Sequence, residues 1–259
     1  MNELVSIITP SYNTSRFIGK TIESVLSQTY KNWEMIIVDD CSTDNTDEVV
    51  SKYKDPRIRY LKNKKNSGAA ISRNYALREA KGKWIAFLDS DDLWMPEKIE
   101  KQIAFMEDNG YHFSCCATTS IDEDDNLSGR YTRRPHHVNK IGMYLYCWPG
   151  CLGTMYDANV VGLIQIADLK KNNDYAMWLK VIKKCDFYGF DEVLAVYRVR
   201  KQSISHDRFI KLLRSHYLLF REGERMSPVA SVFMTGVNMA FGAYKKIFYR
   251  TKRLGSGWR

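Results

Sequence analysis

Three carboxylates fall within four positions in the stretch FLDSDDLWMPE, residues 87–97, directly after the apolar run of residues 84–88. Two like charges about 4 Å apart repel by ~4 kcal/mol at an effective dielectric near 20, so such a cluster needs a counter-charge. The next basic residue along the chain is Lys98, beyond Pro96. A bound cation is the first candidate. Asp89, Ser90 and Asp91 supply hard oxygen ligands, and Mg²⁺ or Mn²⁺ takes one or two carboxylates together with substrate phosphates. A metal held on a diphosphate is therefore expected here; the competing reading is a turn with Asp as helix N-cap. Asp39 and Asp40 end a second apolar run, where a carboxylate can accept from a nucleobase N–H or a ribose hydroxyl, or else cap the helix starting near Asn45 and Thr46. Tyr12, in TPSYN, can stack on a base or simply pack. Arg73, seven residues after Asn66, can face a nucleotide or pair with a sheet-end carboxylate.

The elements that would position these residues alternate. Residues 5–9, 34–38, 58–61 and 84–88 are apolar and β-branched, as strands are. Between them, Phe17, Ile18, Ile22, Val25 and Leu26 recur at helical spacing, a second helix runs through Val49, Val50 and Tyr53, and a third covers residues 67–80 with Lys81-Gly82 as its C-cap. Pro96 opens a fourth helix. The β-α-β-α-β-α-β order predicts a parallel sheet with helices on both faces, whose ligands lie beyond the carboxyl ends of the strands. That rule gathers TPSYN, Asp39-Asp40, Asn66-Ser-Gly68 and the 89–92 cluster on one edge. The second half is less regular: residues 112–121 and 191–199 read as strands, and residues 130–153 as loop.

The 259 residues, 44% apolar and 13% aromatic, suit one large domain or a domain with an appendage, and exclude a disordered chain. Six cysteines without a C-x-x-C spacing read as reduced thiols of a cytoplasmic protein, and the opening MNELVSIITPSYN enters a strand with no secretion signal expected. His136, His137 and the cysteines do not have zinc-ligand spacing. Residues 207–259 carry 11 Lys/Arg against 3 Asp/Glu, a net of +8 within a chain total of +9. Such a segment suits an anionic partner or a solvated helical face. No nucleic-acid module accompanies it, so no nucleic-acid partner is expected.

The runs VSIITPSYN, SVLSQTYKNWEMIIVDDCSTDNT, NSGAAISRN and FLDSDDLWMP occur in order across about residues 4–108. Together they resemble the nucleotide-binding half of the family 2 glycosyltransferases, of GT-A fold and bacterial cell-surface polysaccharide type. NNDYAMWL, residues 172–179, is similar to the segment bearing that family's general base, and YRVRKQSIS, residues 197–205, to a later segment in which His is common where Arg200 stands. The resemblance implies that Thr9, Pro10, Tyr12, Asp39, Asp40 and Arg73 hold the nucleoside of a UDP-sugar. Asp89 and Ser90 would lie by the ribose and metal, Asp91 would bind Mn²⁺ or Mg²⁺ on the diphosphate, and Asp174 would deprotonate the acceptor hydroxyl for an inverting transfer. Asn173 stands where Glu is common. With no Q-x-x-R-W motif, one sugar per acceptor is expected. The acceptor expected by analogy is a lipid-linked saccharide. A nucleotidyltransferase and a non-catalytic sugar-nucleotide-binding protein are the alternatives.

The expected organisation is a GT-A domain over residues 1–206, with a nucleotide-binding half at 1–110 and a mixed acceptor-binding half at 111–206, and a basic amphipathic helical region at 207–259. Residues 226–244 carry no charge. Val229, Phe233, Val237, Phe241, Tyr244 and Phe248 repeat at helical spacing, with a basic run following, a pattern that fits a helix lying on an anionic membrane, here the inner face of the cell membrane. The alternative is that this stripe packs on the catalytic domain.

Overall fold

The structure, a computed structural model, describes residues 2–200, 209–248 and 252–253; Ser203 and Ser205 of the YRVRKQSIS segment lie outside them. The first half follows the expected alternation: β1 (Val5–Ser11), α1 (Ile18–Leu26), β2 (Trp33–Asp39), α2 (Thr46–Ser51), β3 (Ile58–Lys62), α3 (Ala69–Glu79) and β4 (Trp84–Phe87). These strands lie parallel in the order β3-β2-β1-β4. Every residue of β1, β2 and β4 is buried, as in a sheet covered on both faces. Along β1, Ile7 joins the apolar cluster with Ile18, Ile22 and Trp33, whereas Ile8 joins the one with Ala76, Leu77 and Trp178.

The second half adds β5 (Leu93–Trp94), α4 (Lys98–Asn109), β6 (Phe113–Ile121), β7 (Leu127–Thr132), β8 (His137–Val138), α5 (Lys140–Leu145), β9 (Thr154–Asp157), α6 (Ala158–Val161), α7 (Asn173–Val181) and β10 (Phe187–Arg198). β9 pairs antiparallel with β4 and with β6, which makes the sheet mixed. β10 runs parallel to β6 and also pairs antiparallel with β5, so its end at Arg198 is carried back to the chain just after the 89–92 cluster. The stretch 130–153, expected as loop, instead contributes the end of β7, β8, α5 and a 3₁₀ turn at Cys151–Gly153. Its alternation is short, and Pro135, Gly142, Gly150 and Gly153 interrupt the periodicity on which the reading relied.

Two local expectations are corrected. β1 continues through Ser11, so Thr9 and Pro10 lie within the strand and not after it. α3 stops at Glu79 with Ala80 extended, so Gly82 is not its C-cap. A Cβ on Gly82 would stand 2.6 Å from the Ser6 nitrogen and 2.7 Å from the Leu4 carbonyl oxygen. Glycine is there because two backbones approach closely, not for a left-handed turn.

The chain ends in α8 (Phe209–Leu218), a π-helical turn at Leu219–Gly223, α9 (Pro228–Phe248) and the short β11 (Lys252–Arg253), which pairs with β7. Leu219 and Phe220 are fully buried in the main core. α9 lies on α5 and α7 through its polar face. Asn238 donates to the carbonyls of Tyr144 and Leu145 and to the Tyr175 hydroxyl, and Ser231 and Thr235 are buried beside it. The apolar stripe is turned outward: Val229 is 81%, Phe233 68% and Tyr244 51% exposed. The alternative in which this stripe packs on the catalytic domain is overturned for these residues, because hydrogen-bonding side chains occupy the contact face.

Lys98, at the start of α4, is fully buried over the Trp94 ring with no hydrogen-bond partner for its ammonium. Burial pushes it down to about 8. The unfolded chain then binds more protons than the folded one between about pH 8 and the usual lysine value near 10.4, so this group makes stability rise with pH across that window. Lys98→Met is expected to be more stable than the wild type at pH 7 by about 1–3 kcal/mol, the loss of the ring contact offsetting part of the gain. Denaturant titrations at pH 7 and pH 10 check this; the gap should narrow at the higher pH, and an unchanged gap contradicts the assignment.

Candidate active site

The polar residues expected at the sheet edge meet there, and the counter-charges for the acid cluster come from distant segments. Asp89 accepts from Arg73 Nη2 of α3 at 2.5 Å. Asp91 Oδ2 accepts from Arg200 Nη1 at 3.1 Å. Asp92 Oδ1 accepts from the backbone N–H of Arg198 at 2.8 Å, while the Arg198 side chain donates to the carbonyls of Asp91 and Asp122 and pairs with Asp125. Lys98, the nearest base in sequence, takes no part.

The cluster remains electrostatically crowded. Burial, together with Asp89, raises Asp91 above the usual carboxylate range, and Arg200 opposes that only in part. Burial, with Asp91 and Asp89 beside it, raises Asp92 further. Arg73 is nine-tenths buried, which works against its charge, but Asp89 and, more weakly, Asp174 outweigh the cost and raise it. Among the described residues no three His, Cys, Asp or Glu side chains form an all-protein metal cage. Asp89 and Asp91 instead face one groove, and a carboxylate pair of this kind fits a Mg²⁺ or Mn²⁺ ion that takes its other ligands from phosphates.

That groove, about 280 Å³, is lined by Pro10, Tyr12, Asp40, Arg73, Ser90 and Arg200 besides the two acids, and it continues past Tyr12, Asp40 and Arg200 to a second lobe at Asn66 and Gly68. Tyr12 is 47% exposed at its mouth, so its ring is available for stacking and is not packed away. Asn13, at φ 51°, turns the chain after it, and its amide oxygen accepts from the Thr43 N–H, tying the loop after β1 to the loop after β2. Asp40 accepts from the N–H groups of Ser67 and Gly68 and from Asn63, which fixes the entry to α3. Asp39 is spent on the N–H and hydroxyl of Ser42 and does not line the groove. Thr9 is also absent from the lining: it is fully buried, with its hydroxyl unpartnered, because β1 keeps it inside the sheet.

Asp174 lies on the far side of Asp89. Asn172, left-handed at φ 56°, turns the chain into α7, and Asp174 falls in the first turn. There Asn173 Oδ1 accepts from Arg73 Nη1 at 3.1 Å. A Glu at 173 would add a negative charge beside the next residue; the amide meets Arg73 without one. Asp174 faces a cavity of about 560 Å³ also lined by Asp89, Thr118, Arg130, Arg134, Cys151 and Tyr197. Burial raises its carboxyl, and Arg73 opposes the rise. Thus two cavities share Asp89 as a wall, with Arg73 reaching from one acid to the helix that carries the other.

The comparisons with known proteins agree with this architecture. Residues 6–157 match Glycosyl transferase family 2, and the chain belongs to that family. The "UDP-Glc:alpha-D-GlcNAc-diphosphoundecaprenol beta-1,3-glucosyltransferase WfaP" of Escherichia coli is 40% identical over 254 residues, 97% of this chain and 99% of that protein. Among solved structures, S. aureus TarS 1-349 in complex with UDP-GlcNAc superposes with a TM-score of 0.70 at 19% identity, covering 96% of this chain and 74% of that one. The mannosyltransferase PcManGT of Pyrobaculum calidifontis, with GDP-Man and Mn²⁺, gives 0.61 at 16% identity, covering 94% and 75%. These structural likenesses carry the GT-A fold. The protein is a glycosyltransferase, and the nucleotidyltransferase and binding-protein alternatives give way.

Asp174→Asn is expected to keep nucleotide binding and to lose ~10²–10⁴ in turnover, the scale of a positioned base. If Asp174 is the base it must be deprotonated to act, and its raised value would then move the acid limb of kcat/KM above the ordinary carboxylate range near 3.9. Steady-state rates from pH 4 to 8 read this limb; a near wild-type kcat for the variant removes Asp174 from the chemistry.

Proposed function

We propose that this enzyme moves one sugar from a UDP-sugar to a hydroxyl of a lipid-linked, diphosphate-bearing saccharide, with inversion at the anomeric carbon, in the making of a cell-surface polysaccharide. The observation that carries the reading is the pair of cavities divided by Asp89, with Asp91, Arg73 and Arg200 on one side and the half-buried Asp174 carboxylate on the other. In the groove, Tyr12 stacks on the base, and Asp40 and the backbone around Pro10 border the nucleoside. Asp89 and Asp91 would hold Mn²⁺ or Mg²⁺, which would supply Lewis-acid stabilisation to the leaving diphosphate. Arg200 stands beside the same phosphates as a fixed cation and assists the departing charge. Asp174 takes the proton of the acceptor hydroxyl as its oxygen bonds to the anomeric carbon; the bond from that carbon to the diphosphate breaks, and the electron pair leaves with UDP. Attack from the Asp174 side opposite the diphosphate inverts the centre. TarS and WfaP, whose names carry UDP-sugars, support the donor, WfaP supports the acceptor class, and PcManGT supports the metal.

The acceptor reading extends to the membrane. Among the described residues no helix is long and apolar enough to cross one. The outward stripe of α9, with Val232 and Phe233 at 63% and 68% exposure, and Ile210 of α8 at 77%, suits the interface of a lipid surface. A basic run at residues 246–253 follows it, each basic residue near an anionic surface adding ~1 kcal/mol. The domain division follows this use: residues 1–206 for catalysis and 207–259 for attachment.

Two measurements check these statements. UDP release from a panel of UDP-sugars, with N-acetylglucosaminyl diphosphate on an alkyl chain as acceptor, should require the acceptor, cease in EDTA and return with Mn²⁺; full activity in EDTA removes the metal from the mechanism. In co-sedimentation with liposomes, the wild type should pellet with anionic vesicles, and Val232→Asp/Phe233→Asp should stay in the supernatant. A wild type that stays soluble at low salt and sediments as a dimer assigns the stripe to a second copy instead.

A further inference from the structure

In and near the Asp174 cavity stand cations that no acid answers among the described residues. Around them, Arg133 pairs with Asp191 and His137 with Asp186. Among the described residues, Arg134 and Lys245 have no carboxylate partner. Arg134 lines the cavity, and its Nε is buried without a hydrogen bond. The place is built for it: a Cβ on Gly150 would stand 2.6 Å from Arg134 Nη2, and one on Gly189 would stand 2.8 Å from Arg134 Cβ. Lys245 of α9 sits 4.3 Å over the Tyr146 ring and 5.3 Å from the Trp148 ring, with its ammonium 3.3 Å from the Tyr146 hydroxyl. Burial, then the like charge of Arg134, pushes Lys245 down to about 8. Arg130 lines the cavity together with Arg134. Two close, half-buried cations without an acid repel one another, and an anion between them removes that cost.

We propose that Arg134 and Lys245, with Arg130 beside them, form the subsite for the diphosphate of the lipid-linked acceptor. The proposal rests on the acceptor class given above and assigns the residues that recognise it. Asp174 and Arg134 line one cavity, so a sugar whose hydroxyl meets Asp174 carries its anomeric phosphate toward the cations. Guanidinium and ammonium groups are the usual partners of phosphate oxygens. The subsite also joins chemistry to attachment. Lys245 directly follows the exposed Tyr244 of α9, so the headgroup is bound beside the stripe that meets the lipid, and the lipid tail leaves along the surface it came from.

The probe is decyl diphosphate, titrated calorimetrically into the full-length protein saturated with UDP, with decyl sulfate as the control for a merely apolar anion. The wild type should prefer the diphosphate. Arg134→Gln and Lys245→Gln should each weaken it at least tenfold and leave UDP affinity unchanged. In turnover, both should raise KM for the N-acetylglucosaminyl diphosphate acceptor far more than for the matching alkyl glycoside. Variants that bind decyl diphosphate as the wild type does, or a wild type that binds decyl sulfate equally well, overturn the subsite. Loss of decyl diphosphate binding in the variants, alongside a wild type inactive on the N-acetylglucosaminyl acceptor, supports the subsite and moves only the acceptor sugar.

Discussion

The structure depends on how three carboxylates are held at the end of one buried strand. Asp89, Asp91 and Asp92 stand where β4 leaves the sheet, and each is met by a different arginine: a guanidinium from α3, a guanidinium from beyond β10 and a backbone N–H from the last residue of β10. Without those groups the cluster would repel itself by several kcal/mol. With them it becomes a joint, because Arg73 comes from the first half of the chain and Arg198 and Arg200 from the second. Arg198 is almost wholly buried, and its guanidinium also binds the turn after β6, so the second half of the sheet is fastened to the parallel half at the acids themselves.

The same arrangement keeps the site ready. Paired carboxylates are stable in the free enzyme, yet Asp91 stays above its usual range because one arginine does not cancel both burial and Asp89. Under the proposed function, a cation carrying a diphosphate would satisfy the acids and the arginines together, since the phosphates would offer the guanidinium groups new acceptors. Arg73 extends this balance across the dividing wall. It bonds Asp89 on one side and Asn173 beside the proposed base on the other, so in the proposed reading a change at the donor phosphates would be felt electrostatically at Asp174.

The parallel half of the fold was legible in the sequence because its strands are buried on both faces and its helices keep their spacing. The gathering of Tyr12, Asp40, Ser90 and Asp91 followed from strand ends, whereas Arg73, inside α3, was legible only as a residue that could face the nucleotide or pair with a sheet-end carboxylate. Asp39 and Thr9 were legible by position but not by direction: one residue of register decides whether a side chain lines the groove or turns inward. The arginine pairing was hidden because sequence proximity pointed to Lys98, while β5–β10 pairing brings Arg198 and Arg200 from a hundred residues away. An R-x-R at a strand end was the one available signal. The outward direction of the α9 stripe agrees with the first of the two readings its spacing allowed; what the spacing did not show is that Asn238 anchors the opposite, polar face through buried hydrogen bonds.

The most direct test of the arginine-held acid cluster is Mn²⁺ binding to the protein with and without saturating UDP, read by calorimetry or by the free-ion EPR signal. Arginines already occupy the acids in the free state, so the ion should bind at least tenfold more tightly when UDP is present, about 1.4 kcal/mol, and UDP should gain the same factor from the ion. Arg200→Ala should narrow that difference by freeing Asp91. Equal Mn²⁺ affinity in both states, unchanged by Arg200→Ala, would contradict the account.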